Sequence, residues 1–219
     1  MTANSACPKV SVKLMPVAQE ITSYASSLFD VVGATKMPDG FRLLIVGLES
    51  TPERDLDEFR LKAGSCQLPG FERYALPKLE SLLNLIRKQS FTAEPAGRCG
   101  YPLRGEINLK EAAVRAGLGN WGKSTLVLHP EYGNRLRFMA LRTDAPLESQ
   151  TKRHTIRGEN PVCDGCTICI DACPERILEP YRMPETTRCL ANVARMVNKD
   201  DRLIPCDICL RLCPANKEY

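Results

Sequence analysis

The sequence predicts an α+β domain over residues 1–150, followed by a mostly helical and irregular cysteine-rich module over residues 151–219. Three observations carry this expectation. Apolar residues recur at helical spacing in some stretches, as at Leu76, Leu79, Leu83 and Ile86, and form short continuous runs in others, as from Phe41 to Leu48. Eight of the eleven cysteines stand at or beyond position 163. Between the two regions, Ser149 to Asn160 is polar and has no apolar periodicity, which marks a boundary.

The elements follow in order. Pro16 to Leu28 reads as a short helix, and Phe29 to Gly33 as a buried strand. Phe41 to Leu48 is the clearest strand in the chain. Thr51 to Gly70 is charged and broken by proline and glycine, so a loop with one helical turn is expected there. The helix up to Lys88 presents one apolar face, with Glu80, Arg87 and Lys88 mostly outside it. Ser90 to Gly105 is rich in Gly, Pro and Arg, and a long irregular segment of this kind is often functional. A second helix is expected from Asn108 to Ala116, stopped by Gly117. Ser124 to Leu128 and Leu136 to Leu141 read as strands joined through His129–Gly133.

With 219 residues and 43% apolar composition, the chain can bury an ordinary core. No apolar run is long enough to span a bilayer, and no signal peptide opens the chain, so a cytoplasmic, reducing location and no membrane partner are expected. The net charge of +4 is mild and its basic residues are dispersed without an aromatic-basic recognition pattern, so nucleic acid is not expected as a partner. Lys152, Arg153 and Arg157 stand where they would offset an anionic centre.

The cysteines supply the strongest chemical signal. They run Cys163-x2-Cys166-x2-Cys169-x3-Cys173-Pro174, then Cys189, then Cys206-x2-Cys209-x3-Cys213-Pro214. This is the double ferredoxin spacing for two [4Fe-4S] clusters, in which the cysteine after the three-residue gap ligates the other cluster. Cys163, Cys166, Cys169 and Cys213 would hold one cluster; Cys206, Cys209, Cys189 and Cys173 would hold the other. A tetrahedral zinc site explains neither the third close cysteine nor the two Cys-Pro endings. A disulfide scaffold does not suit an odd total in a chain of this length.

Gly117-Leu-Gly-Asn-Trp-Gly-Lys-Ser124 satisfies both the P-loop and the dinucleotide-binding strings. Each of these needs a strand before the glycines and a helix after them. Here the helical period comes first and the β-branched stretch second. The bland alternative is a helix-to-strand turn whose glycines permit positive φ, and the P-loop alternative would imply ATP-coupled electron transfer.

Glu111 to Thr125, followed by His129-Pro-Glu-Tyr-Gly133, Thr143-Asp-Ala-Pro-Leu147 and the double cysteine run, resembles the epoxyqueuosine reductases and the related corrinoid-dependent reductive dehalogenases. The resemblance extends over residues 17–217 and is strongest after Glu111. It implies a nitroreductase-like corrinoid-binding domain followed by a ferredoxin-like module, with electrons passing through two clusters to cobalamin for reduction of a small substrate. It also implies an electron donor such as a ferredoxin or flavodoxin. On this reading Gly117, Gly119, Trp121, Gly122, Lys123, Ser124 and Thr125 would approach the corrin. The family's proton-donating Asp has no counterpart between Arg98 and Asn108, which leaves Tyr101 and Glu106 as replacements, with Tyr101 the candidate catalytic acid. An electron-transfer or corrinoid-handling protein without a substrate reaction is the alternative, and the chain is free to act alone or as a homodimer. His129 reads as a turn residue, His154 is isolated, and Cys7, Cys66 and Cys99 remain outside the ligand set.

Overall fold

Residues 42–49 are apolar at nearly every position because the strand they form is covered on both faces. In the computed structural model, which describes residues 14–62, 65–96, 107–149, 160–189, 202–203 and 206–216, this strand (β2, Arg42–Glu49) is buried at its six central positions. It lies between β1 (Val31–Lys36) and β8 (Leu136–Thr143), and β8 also pairs with β5 (Ala93–Pro95). The sheet order is β1-β2-β8-β5 with every pairing antiparallel. Alternation along the strands sends Leu44, Val46, Leu48, Met139 and Leu141 to one face, and Leu43, Ile45, Phe138 and Ala140 to the other.

The first face is closed by α1 (Leu14–Leu28) and α3 (Leu76–Lys88). Ala18, Ile21 and Ala25 of α1, with Leu79, Leu82, Leu83 and Ile86 of α3, form the apolar stripes that meet it. A short helix α2 (Pro69–Tyr74) leads into α3. The opposite face carries α4 (Leu109–Arg115) and a small hairpin of β6 (Asn120–Trp121) and β7 (Val127–Leu128). Ala112, Ala113, Ala116, Leu118, Trp121 and Val127 bury this second layer. The sheet is thus sandwiched between two helical layers.

The helix α4 shows how the local sequence fixes its ends. Asn108 caps it by accepting the Glu111 amide at 3.2 Å. At the other end Leu118 N–H donates to Ala113 O and Gly117 N–H to Val114 O, at 2.9 and 3.0 Å, with Gly117 at φ 78°. This pair of bonds is a Schellman ending, which requires the left-handed conformation at Gly117.

The 51–70 segment, expected as a loop with a helical turn, instead holds β3 (Phe59–Lys62) and β4 (Ser65–Gln67). The hairpin persists because β9 (Arg202–Leu203), from between the last cysteines, adds a third strand to it. Only Val127–Leu128 of the expected Ser124–Leu128 strand is extended, because Ser124 and Thr125 belong to the hairpin tip. Ion pairs Arg54–Asp30 and Arg137–Asp57 fasten the 50–57 segment to the sheet, and Arg135–Glu49 ties the adjoining ends of β2 and β8.

Thr143-Asp-Ala-Pro-Leu147 serves as a lock at the end of β8. Thr143 Oγ1 donates to Thr92 O at 2.6 Å and accepts the Ala145 amide, while the Asp144 carboxylate accepts the Thr92 amide at 2.7 Å. Arg42 Nε donates to Leu147 O at 3.0 Å. These bonds fix the start of the chain that runs into residues 97–106. Tyr101, Glu106, Cys7, Cys99, His154, Lys152, Arg153 and Arg157 lie outside the described residues.

Candidate metal centre

The cysteine module is built on two copies of one local device, offset by forty positions. In each, a four-residue helix carries the cysteine that precedes the three-residue gap: α5 (Ile168–Asp171) with Cys169, and α6 (Ile208–Arg211) with Cys209. Each helix ends one residue before a Cys-Pro pair, at Ala172 and at Leu212. Proline cannot continue the helix, so at Cys173 and Cys213 the chain passes into a turn, closed by Arg176 N–H on Cys173 O and by Asn216 N–H on Cys213 O. The two helices pack against each other. That packing brings each departing cysteine to the opposite run.

Cys163, Cys166, Cys169 and Cys213 line one cavity together with Lys123, Ser124, Leu128, Val162 and Pro214. The thiols also register one another electrostatically. Burial pushes the Cys169 thiol up, with Cys213, Cys163 and Cys166 adding to the effect. Burial likewise raises Cys213, which feels Cys163 and Cys166. The other set behaves in the same way: Cys189 is raised by burial, then by Cys206 and Cys173, and is opposed by Lys110. Cys209 is pushed up to about 12 by burial, with Cys189, Cys206, Cys169 and Cys173 contributing. All eight are free thiols. Among the described residues no three His, Cys, Asp or Glu groups close on a single ion.

The glycine-rich turn holds the first of these sets. Lys123 N–H donates to Cys163 Sγ at 3.4 Å and Lys123 Nζ donates to Cys166 O at 2.9 Å. Tyr181 N–H donates to Lys123 O at 3.1 Å, and Asn160 Nδ2 donates to Trp121 O at the same distance. Asn160 is 6% exposed, and its Oδ1 accepts the Val162 amide, capping the short 3-10 helix Pro161–Cys163. No local pattern in the sequence singled out Asn160 or Tyr181 for this role.

The turn itself is a hairpin tip. Gly122 N–H donates to Leu126 O, and Thr125 N–H donates to Gly122 O with Thr125 at φ 62°. This is a three-residue loop that ends in a left-handed residue. Strand follows the glycines where a nucleotide site needs a helix, so the phosphate-binding context is not formed. A Cβ on Gly119 would stand 2.6 Å from Leu128 O and 2.8 Å from Val127 Cγ1, and one on Gly122 would stand 3.0 Å from the Leu128 side chain. These glycines admit the chain's own β7. Trp121 is 6% exposed within the core. Within Gly117–Thr125, Gly117 and Asn120 are exposed, and the Lys123 ammonium is engaged by the cysteine loop.

The second set is docked to the sheet as well. Asn134 Nδ2 and Asn216 Nδ2 both donate to Leu210 O, at 3.2 and 2.9 Å. A Cβ on Gly133 would meet Ala215 O at 2.4 Å, so the turn after His129 presses directly on the last cysteine loop. His129 Nδ1 accepts the amides of Glu131 and Tyr132, which makes it a turn-forming side chain, and burial holds its pKa below the usual imidazole value.

This sheet between helical layers is the fold of a class of solved reductases. The chain aligns with a crystal structure of epoxyqueuosine reductase bound to an epoxyqueuosine-modified tRNA stem loop, at TM-score 0.66 and 19% identity over 93% of this chain and 66% of that one. It aligns with a reductive dehalogenase described in terms of B12-dependent dehalogenation at TM-score 0.67 and 16% identity, over 97% of this chain and 34% of that one.

Among curated proteins it is similar to epoxyqueuosine reductases. The one from Bacillus subtilis (strain 168) is 29% identical over 122 residues, which is 52% of this chain and 30% of that protein. The one from Leadbetterella byssophila is 26% identical over 210 residues, 89% and 65% of the two chains. The chain spans about a third of the length of the first relatives it matches. No family model matches the sequence.

The resemblance read from the sequence is thus found in relatives and in solved structures alike. The expectation about nucleic acid is corrected, because an epoxyqueuosine reductase of this fold is seen with a tRNA stem loop. RNA is recognised largely by shape and by contacts spread over the surface, so dispersed basic residues do not argue against it. No helix among the described residues is long and apolar enough to cross a membrane.

Proposed function

We propose that this chain is an iron–sulfur oxidoreductase of the epoxyqueuosine reductase type, passing low-potential electrons through two [4Fe-4S] clusters. The observation that carries the reading is the exchange of cysteines, with Cys213 standing among Cys163, Cys166 and Cys169, and Cys173 beside Cys189 and Cys209. The donor chemistry fits. Four partly buried thiols at each site repel one another once ionised, and an iron cluster removes that penalty by taking the thiolates as ligands. A cube is bound at separate corners, so its ligands need not converge on a point.

The finer reading is that the electrons reach a corrinoid, supported by the shared fold with a dehalogenase described in terms of B12 chemistry. A bound cobalt would supply the bond-breaking reduction, and the protein its position and electrostatics. The Gly117–Thr125 turn remains the proposed corrin-facing segment, with Gly117 and Asn120 exposed on it. Substrates to be tried are a small reducible molecule and, given the stem-loop complex of the fold neighbour, a modified RNA base.

The test is anaerobic reconstitution with iron and sulfide, followed by iron analysis and the ultraviolet-visible spectrum before and after cobalamin is added. About eight irons per chain are expected. Far fewer would end the cluster reading. A full iron complement without cobalamin uptake would leave an electron-transfer protein, the alternative that the serving of Lys123 and Ser124 to the cysteine cavity favours.

A further inference from the structure

The Gly-Lys-Ser string is a nucleotide signature by pattern, yet it faces thiols. Lys123 and Ser124 both line the cavity of Cys163, Cys166, Cys169 and Cys213. Lys123 contributes twice, with its backbone N–H on Cys163 Sγ at 3.4 Å and its ammonium on Cys166 O at 2.9 Å. Ser124 is 3% exposed, and its hydroxyl is a donor free to turn toward whatever fills the cavity. Thr125 next to it sits at φ 62°, unusual for a β-branched residue, and Lys110 Nζ holds its carbonyl at 3.1 Å. Such strain persists only where the surroundings over-determine it. The hairpin tip is held rigidly in the posture that turns its donors to the first set of cysteines.

We infer that the Lys123–Ser124 tip sets the reduction potential of the cluster bound by Cys163, Cys166, Cys169 and Cys213, independently of the other cluster. This rests on the two-cluster reading above. Reduction adds one electron to an already anionic cluster. Hydrogen bonds to its sulfurs and a nearby ammonium favour the more negative state, so they raise its potential. The second set has no counterpart of this hairpin among the described residues; its neighbouring cation is Lys110, on α4. The two clusters are thereby made unequal, and the lysine and serine act as positioning and tuning groups while the cysteines remain the ligands.

The experiment is a redox titration of the reconstituted protein followed by electron paramagnetic resonance, on the unaltered chain and on Lys123→Met, Lys123→Arg and Ser124→Ala. Lys123→Met should lower one midpoint by about 59 mV, a tenfold change in a one-electron equilibrium, and leave the other in place. Ser124→Ala should lower the same midpoint by a smaller amount, and Lys123→Arg should restore most of it. If Lys123→Met takes up too little iron for titration, Ser124→Ala, which leaves both lysine contacts intact, decides the matter alone. Normal iron content with no midpoint moved, or with both moved equally, overturns the inference. Failure of the unaltered chain to bind iron overturns the cluster reading itself, and the two failures are told apart by the iron analysis.

Discussion

Replacing Cys213 by alanine should damage the cluster of the first cysteine run, although Cys213 belongs by sequence to the second. Cys213 lines the same cavity as Cys163, Cys166 and Cys169, and its charge registers on Cys169. Removing it leaves three thiols around that cavity. One cluster of four irons is lost or left with an open corner, so iron falls from about eight toward about four per chain. The partner experiment is Cys173→Ala, whose thiol registers on Cys189 and Cys209. The assay is iron content together with the resonance spectrum of the reduced protein, with Cys163→Ala and Cys206→Ala as references for the two sites. Cys213→Ala should alter the signal that Cys163→Ala alters, and Cys173→Ala the signal that Cys206→Ala alters. The reasoning is refuted if Cys213→Ala instead shares the spectrum of Cys206→Ala, which would mean that each run serves its own cluster.

Gly119→Ala, with a Cβ placed 2.6 Å from Leu128 O and a backbone at φ 139°, should destabilise the protein by roughly 3 to 5 kcal/mol, from overpacking and backbone strain together; chemical denaturation checks it. Thr125→Gly should be stabilising by about 0.5 to 1 kcal/mol, since relief of a left-handed β-branched residue, about 1 to 2 kcal/mol, exceeds the added entropy of glycine in the unfolded chain. The same denaturation series reads this out, and a loss of stability would refute the strain assigned to the hairpin tip. In the metal-free protein the Cys209 thiol is raised from its ordinary value of 9.0 to about 12. A raised folded value makes its contribution to stability complete below pH 9 and lost as pH climbs toward 12. Metal-free protein should therefore melt progressively lower across that window, and a melting temperature independent of pH there would contradict it.

What the sequence disclosed, and what it hid, divides by range. The apolar run of β2, the face of α3 and both ends of α4 were legible because each is written in consecutive residues: alternation or repeat, the Asn108 cap, the Gly117 stop. The pairing of Cys213 with the first run was legible for a different reason, since x2 and x3 gaps with a following proline constrain where each thiol can reach. Phe59-Arg60-Leu61-Lys62 does alternate, but four residues amid charge give too little signal, and its stabilising partner Arg202–Leu203 lies about 140 positions away. The roles of Asn160, Tyr181 and Lys123 are contacts between distant segments. No periodicity encodes them. The corrin-facing role expected for the glycine turn came from resemblance alone.

The coincidence of a P-loop string with a hairpin tip has a physical explanation. In a phosphate-binding loop, glycines bring backbone N–H groups close to an anion and a lysine adds a compact positive charge. A cluster carried by four thiolates is also a partly buried anion, and burying charge without donors or a counter-charge is costly. The same three ingredients are present here in another frame. Gly119 and Gly122 let the hairpin lie flat on β7, the Lys123 amide meets a cysteine sulfur, and the lysine ammonium closes on the cysteine loop. What differs is the direction of the chain after the glycines. A helix would have aimed a row of free amides outward at a diffusible phosphate. The strand that follows instead pairs its amides with β6 and leaves only the tip to meet the cysteine loop, so on the proposed cluster reading the donors would serve a resident group, where a device that tunes an electron carrier belongs.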